Sequence, residues 1–242
     1  MTKAGLGEYE KGMVFFYSGL VELNIILDLA ERIINFPFDL FVFQDRTIFF
    51  TMVMQSFYDS AILIITRLAT DQKGNVYTLR RFKNRVKELV KPEFKTSFEA
   101  LLKKARFDAT INNLLKRAEQ LRTHRIAHTT QDWILGKVRI SRPNISELQA
   151  LRTALNSLFD ALSFEVKYNM LPLAYDPRVL PASGGKEKTD IEELLDCIAR
   201  NSRLLNMPET HPDRWSRRRA RLTGDQIKQV NHYRRKFNLS EV

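Results

Sequence analysis

Two of the four histidines in this chain, His124 and His128, lie four residues apart. On an α-helix this spacing places both imidazoles on one face, where they could bind a metal ion. The H-E-x-x-H motif of helical zinc sites is nevertheless incomplete, because Arg125 occupies the position of its glutamate. Arg122 adds a second nearby positive charge, which disfavours a cation. We therefore expect no metal ion at this pair.

The rest of the composition argues against several other classes of protein. The nine glycines among 242 residues form neither a G-x-G-x-x-G motif nor a P-loop, which disfavours Rossmann enzymes and classical ATPases. The single cysteine, Cys197, cannot form an intramolecular disulfide, as is typical of a reducing compartment. The first twenty residues lack the pattern of a secretory signal. We expect a cytoplasmic protein without a cofactor.

The net charge of +11 is concentrated in the middle of the chain. Residues 73–125 contain 15 basic and 5 acidic side chains, a net charge of +10. Such a surface suits a nucleic acid, since neutralising phosphates releases counterions. A solvated helical face of the same composition is the alternative. The predicted nucleic-acid contacts in this segment are Arg80, Arg81, Lys83, Arg85 and Arg117.

A second basic cluster lies near the C terminus, where five arginines surround Trp215 within eight residues. Arginines beside an aromatic ring suit single-stranded nucleic acid, because phosphates pair with guanidinium groups while bases stack on the ring. We predict such contacts from Arg217, Arg218 and Arg219. The same cluster would also suit an acidic protein partner. Thr223 is expected to cap a final helix.

Residues 121–130, LRTHRIAHTT, resemble the motif of the HEPN superfamily of helical, often RNA-cleaving proteins. In that motif an arginine is followed by a histidine after a short spacer, and Arg122 and His128 fit the pattern. The sequence around this motif, together with residues 56–86, is similar to the AbiU-like abortive-infection branch of the HEPN superfamily. The resemblance implies an antiparallel helical bundle and a homodimer that brings two motifs together. It also implies a role in antiviral defence or as a toxin.

The resemblance further implies that Arg122 and His128 are catalytic, supported by Thr123, His124 and Arg125. An imidazole with a pKa near 6.5 can remove the proton of a ribose 2′-hydroxyl, while a guanidinium stabilises charge on the phosphate. The expected reaction is metal-independent RNA cleavage that leaves a 2′,3′-cyclic phosphate. Active relatives commonly have Asn, Asp or His at the position of Thr123.

Two other functions therefore stay open. One is a non-catalytic RNA-binding module. The other is a protein-interaction module that binds an antitoxin or another acidic partner through its basic tail.

The catalytic hypothesis requires a particular geometry of the helix that contains the motif. On an unbroken α-helix, Arg122 and His128 would lie about 120° apart around the axis. A shared cleft therefore requires a break near residues 123–128, or contributions from two subunits. Thr129 or Thr130 can cap a new helical segment, which favours a break.

The elements that must position these residues are helical throughout, since apolar residues recur with the helical period and no segment alternates as a strand does. Asn144 and Glu147 have the spacing of a capping box. Prolines and glycines at 172–189 predict a linker between a bundle at 1–171 and a basic helical tail at 190–242. We predict an all-α fold with helices over about 9–35, 45–70, 78–90, 93–106, 111–121 and 144–170.

The apolar stretch from Ile48 to Leu68 is long enough to suggest a membrane span. It contains Asp59 and Arg67, however, and a charge at the bilayer centre costs about 2.5–3.5 kcal/mol. We therefore expect a buried bundle helix and no membrane partner. Because buried charges are normally paired, Asp59 and Arg67 are expected either to support the functional site or to pair with each other.

Overall fold

The computed structural model describes residues 3–42, 47–70, 77–126, 130–135, 137, 141–163 and 190–242. Within these ranges the secondary structure is helical and contains no strand, so the all-α prediction is confirmed. The predicted linker at 172–189 lies outside the described residues. The α-helices are α1 Lys3–Asn35, α2 Phe38–Phe41, α3 Ile48–Ala69, α4 Leu79–Leu89, α5 Lys95–Ala105, α6 Phe107–Leu121, α7 Gln131–Ile134, α8 Ile145–Leu162, α9 Asp190–Arg200, α10 Arg203–Thr210, α11 Pro212–Arg219 and α12 Gly224–Lys236.

The helix starts follow capping signals that are visible in the sequence. At α8 the Asn144 side chain accepts from the Glu147 amide and the Glu147 side chain accepts from the Asn144 amide, which confirms the predicted capping box. Thr223 caps α12 in the same way with Gln226. The end of α8 was predicted less well, because the helix stops at Leu162.

Contacts divide the chain into two compact units. The first unit contains residues 1–28 and 56–176, and the second contains residues 29–55 and 177–242. Helices α1 and α3 therefore each contribute residues to both units. The predicted separation into a bundle, a linker and a tail stays a prediction.

The core of the first unit is built on one face of α1, whose side chains recur at helical spacing. Helix α8 packs against α4, α5 and α6 and adds a second apolar face to this core. The Tyr9 hydroxyl donates to the Leu162 carbonyl at 2.7 Å, which ties the start of α1 to the end of α8. The fully buried residues of α1 are Tyr9, Met13, Phe16, Leu20, Leu23 and Leu27.

The second unit has its own apolar core, formed by α2 with α9 to α12. Trp215 of α11 packs in this core and is only 7% exposed. The predicted stacking of a base on Trp215 is therefore wrong, because the ring is covered by apolar side chains. Arg234 is fully buried nearby and donates to the Leu205 carbonyl and the Glu209 carboxylate, which lowers the pKa of Glu209.

Helix α3 is buried along only part of its length, in contrast to the prediction. Its residues from Ala61 onward contribute to the core, whereas Ile48, Phe49 and Met52 are 69%, 60% and 66% exposed. The fully buried residues of α3 all lie in its C-terminal half, whereas in the N-terminal half Phe50 packs, partly buried, against the core of the second unit. By length and composition alone, Gly5–Asn35 and Ile48–Ala69 could each cross a membrane, and 44% and 22% of their most apolar windows are buried in the protein.

The close packing of α1 on α4 predicts opposite effects for two glycine substitutions. A Cβ at Gly12 would lie 2.4 Å from the fully buried ring of Phe82, whereas a Cβ at Gly7 would have no atom within 4 Å. We expect Gly12→Ala to destabilise the protein by about 1–3 kcal/mol through overpacking. Gly7→Ala should stabilise it by about 0.5–1 kcal/mol, because alanine is the better helix former. Denaturant unfolding measures both, and equal effects would contradict the packing described.

Candidate functional site

The residues of the predicted motif lie at the end of α6 in the first unit. Helix α6 is amphipathic and buries Ile111, Leu115, Ala118 and Leu121 against the core. This burial fixes the rotation of the helix, and so fixes where the chain after Leu121 leaves the bundle.

The α-helical geometry ends at Leu121 and changes to a π-helical turn over Arg122–Ile126. A π-helical turn is wider than an α-helical turn, is rare, and occurs frequently at functional sites. The helix continues through this turn to Ile126, so the expected break near residues 123–128 stays a prediction. The predicted catalytic His128, with residues 127 and 129, lies outside the described residues.

Two contacts join the chain on either side of residues 127–129. The His124 Nδ1 atom lies 3.1 Å from the Thr130 hydroxyl oxygen, and the Thr130 amide donates to the His124 carbonyl at 3.2 Å. Thr130 therefore lies beside the π-helical turn. Helix α7 begins directly afterwards, at Gln131.

The side chains of the π-helical turn differ in exposure. Thr123 is exposed, whereas Arg122, His124 and Arg125 are half-buried. The Arg125 Nη1 atom is buried and has no hydrogen-bond partner among the described residues. A buried donor of this kind is unusual and calls for an explanation such as a water molecule or ligand.

Tyr58 of α3 lies close to this turn and was not singled out in the sequence. Its hydroxyl donates to the Pro143 carbonyl at 2.6 Å. Burial, reinforced by the charge of Asp59, raises the pKa of Tyr58 to about 12, while Arg117 and Arg125 act in the opposite direction. The group is therefore neutral at physiological pH. The sequence feature that could have identified Tyr58 was its place next to Asp59, a charged residue in an apolar helix.

Arg117, one turn before the π-helical turn, connects α6 to the start of α8. Its guanidinium donates to the Glu147 carboxylate at 2.7 Å and 3.2 Å, to the Ser141 carbonyl at 3.2 Å and to the Arg142 carbonyl at 2.9 Å. These bonds hold the pKa of Glu147 below its usual range, mainly through Arg117 and then through the Asn144 amide. Arg117 therefore makes a structural contact between α6 and the start of α8. Its predicted role in nucleic-acid binding stays a prediction.

The basic residues of α4 that were predicted to bind nucleic acid differ in their contacts within the protein. Arg85 pairs with Glu8 of α1 at 2.9 Å and with Glu88 at 2.8 Å. Arg80 donates to Asn112 of α6 at 3.1 Å. Two further predicted contacts differ in exposure, since Arg81 is exposed and Lys83 is half-buried.

The remaining predicted site residues lie elsewhere. Arg67 is 55% exposed and pairs with Glu22 of α1 at 3.3 Å, so the expectation of a buried Arg67 is wrong. In the second unit, Arg217, Arg218 and Arg219 lie exposed on α11. Among the described residues, no group of three or more His, Cys, Asp or Glu side chains could hold a metal ion.

The network around Arg117 predicts that lysine cannot replace this arginine. Arg117→Lys removes the bidentate contact to Glu147 and at least one carbonyl contact, so we expect a lower melting temperature at pH 7. The exposed neighbour Lys116 provides the control, and Lys116→Ala should leave the melting temperature unchanged. Because Glu147 has a lowered pKa in the folded state, its stabilising effect is present above about pH 4.3 and is lost as the pH falls. The difference between wild type and Arg117→Lys should therefore shrink in acid, and a difference independent of pH would contradict this assignment.

Comparison with protein families confirms the resemblance noted in the sequence. The family model HEPN_AbiU2, described as AbiU2, matches residues 40–177, more than half of the chain, and this range includes the whole π-helical turn. Comparisons with curated proteins and with solved structures gave no match. With its helical fold and its arginine and histidine motif at the end of α6, the chain belongs to the AbiU2 family of HEPN proteins.

Proposed function

We propose that this protein is a metal-independent endoribonuclease of a defence or toxin–antitoxin system, with Arg122 and His128 as its catalytic pair. The observation that carries the proposal is the π-helical turn at Arg122–Ile126, inside the range matched by the HEPN family. It supports a functional role for this turn because π-helical turns are rare and occur frequently at functional sites. The contacts between His124 and Thr130 support it further, since they hold Thr130, two residues after His128 in the sequence, beside the turn.

In the proposed reaction, neutral His128 removes the proton from a ribose 2′-hydroxyl, and the resulting oxygen attacks the adjacent phosphorus. The bond between phosphorus and the 5′-oxygen then breaks, and an imidazolium of a second copy or water protonates the departing 5′-oxygen. Arg122 stabilises the additional negative charge on the phosphoryl oxygens. The products are a 2′,3′-cyclic phosphate and a free 5′-hydroxyl. DNA is not a substrate, because it lacks the attacking hydroxyl.

The proposed active form is a cytoplasmic homodimer, in which two copies of the motif share one cleft. The apolar residues Ile48, Phe49 and Met52 of α3 support association, because exposed apolar patches commonly mark protein contacts. Thr123 is exposed at the turn, where its hydroxyl can donate to and accept from a bound phosphodiester.

The cleavage proposal is tested with RNA in the presence of EDTA. We expect the wild-type protein to produce 2′,3′-cyclic phosphate ends, and His128→Ala or Arg122→Ala to reduce the rate by about 10²–10⁴-fold. His211→Ala provides a matched control, because this exposed histidine lies in the second unit. A single 2′-deoxy substitution at the cleaved position should prevent cleavage there.

Equal activity of wild type and His128→Ala would remove the proposal. The absence of the family's usual residue at Thr123 favours a second candidate, a non-catalytic RNA-binding module. Salt-dependent RNA affinity without turnover by any of these proteins would select it.

A partner-binding role of the second unit is a separate proposal, supported by the exposed arginines of α11. Replacing Arg217, Arg218 and Arg219 together with alanine should weaken binding of an acidic antitoxin and leave RNA cleavage unchanged. These substitutions retain Trp215 and so preserve the apolar core, which deletion of the segment would not. Co-purification and melting temperature provide the measurements. Unchanged partner binding in a folded triple variant would exclude this surface.

A further inference from the structure

A cavity of about 480 Å³ opens in the first unit, beside the start of α6. Its volume lies within the range of about 300–1,000 Å³ that is typical of ligand pockets. The cations on its wall come from three parts of the fold. Lys83 and Lys87 project from α4, Lys103 projects from α5, and Arg106 occupies the junction of α5 with α6. Glu99 provides an acidic group on the same wall.

Two pairs of these cations lie close together along the chain. Lys83 and Lys87 are four residues apart on α4 and therefore share a face, and Lys103 of α5 lies three residues before Arg106, which follows the end of that helix. Like charges at this spacing destabilise a helix. Bound phosphates would relieve this repulsion.

The floor of the cavity is apolar. Leu102, Phe107 and Leu158 line it, and the last two belong to the buried core, with exposures of 3% and 1%. A cavity lined by apolar side chains and several cations matches a nucleotide of a single strand, whose base is free to leave the stack while its phosphates remain outside. A base-paired duplex offers no such free base.

The cavity and the proposed catalytic turn lie at opposite ends of α6. Phe107 begins the helix, and Arg122 directly follows its last residue. A helix of 15 residues is about 22 Å long. At a rise of about 3.4 Å per nucleotide, a stacked strand would cover that length with about six or seven nucleotides.

We propose that this cavity is a second binding site for the RNA strand, holding an unstacked nucleotide and its phosphates at a distance from the cleaved bond. The inference rests on the proposed ribonuclease function in taking RNA as the natural strand. The contacts involve phosphate and base and none to the 2′-hydroxyl, so a single-stranded DNA of the same length binds the cavity without being cut.

The test measures binding of a fluorescent twelve-nucleotide single-stranded DNA to the full chain by anisotropy. The double variant Lys87→Ala/Lys103→Ala should weaken binding about tenfold and reduce the slope of log K against log salt by about 1.4, since each phosphate contact contributes about 0.7. The matched control is Lys95→Ala/Lys104→Ala, which removes the same charge from exposed positions of α5 that do not line the cavity. It should change affinity less than twofold.

A second variant separates loss of binding from loss of folding. Arg106 has a left-handed backbone with φ 48°, which glycine adopts without strain. Arg106→Gly should therefore raise the melting temperature while weakening binding of the strand.

Three results would overturn the proposal. The first is an equal loss of affinity for the strand in the double variant and in its control. The second is tight binding of a free mononucleotide that competes with the strand. The third is binding of duplex DNA that depends on Lys87 and Lys103 as much as binding of the single strand does. Because DNA is not cleaved, these results are independent of the ribonuclease test. Loss of RNA cleavage with intact strand binding would contradict the catalytic proposal alone.

Discussion

The guanidinium of Arg117 joins the last turns of α6 to the first turn of α8, and the position of the motif depends on this contact. It bonds to both oxygens of Glu147, which in turn caps α8 through Asn144. A planar, forked cation can satisfy a carboxylate and two backbone carbonyls at once, which a lysine cannot do. The end of α6 is thereby held against a second helix just before its geometry changes at Arg122.

The geometry of the motif changes from α-helical to π-helical directly after Leu121, and such turns occur frequently at functional sites. Two contacts with His124 place Thr130 beside this turn. The side chains of Tyr58, Arg122, His124 and Arg125 are half-buried, so these surroundings are partly shielded from water. Charge–charge interactions with a phosphodiester are stronger in such surroundings than in water.

The positive charge of residues 73–125 is divided among several tasks. Arg85 is compensated by Glu8 and Glu88, and Arg117 is used inside the helix contact. Lys87 and Lys103, which the sequence did not distinguish from other surface lysines, lie on the wall of one cavity. The net charge of a segment therefore indicated a polyanion partner but did not indicate which residues would meet it.

The sequence by itself determined the helical class, the limits of α3, α4 and α5 to within three residues, the capping box of α8, the cap at Thr223 and the motif that identifies the family. These features depend on neighbours three or four residues apart, so local spacing contains the necessary information. Tertiary structure decided which side of each helix is covered. Trp215 lies in an apolar core that also contains Phe36, which is distant in sequence, and Ile48, Phe49 and Met52 of α3 stay exposed despite its uniform apolar composition. The partner of Arg67 and the cavity beside α6 were likewise decided by packing, because contacts between distant segments leave no periodic signal in either segment alone.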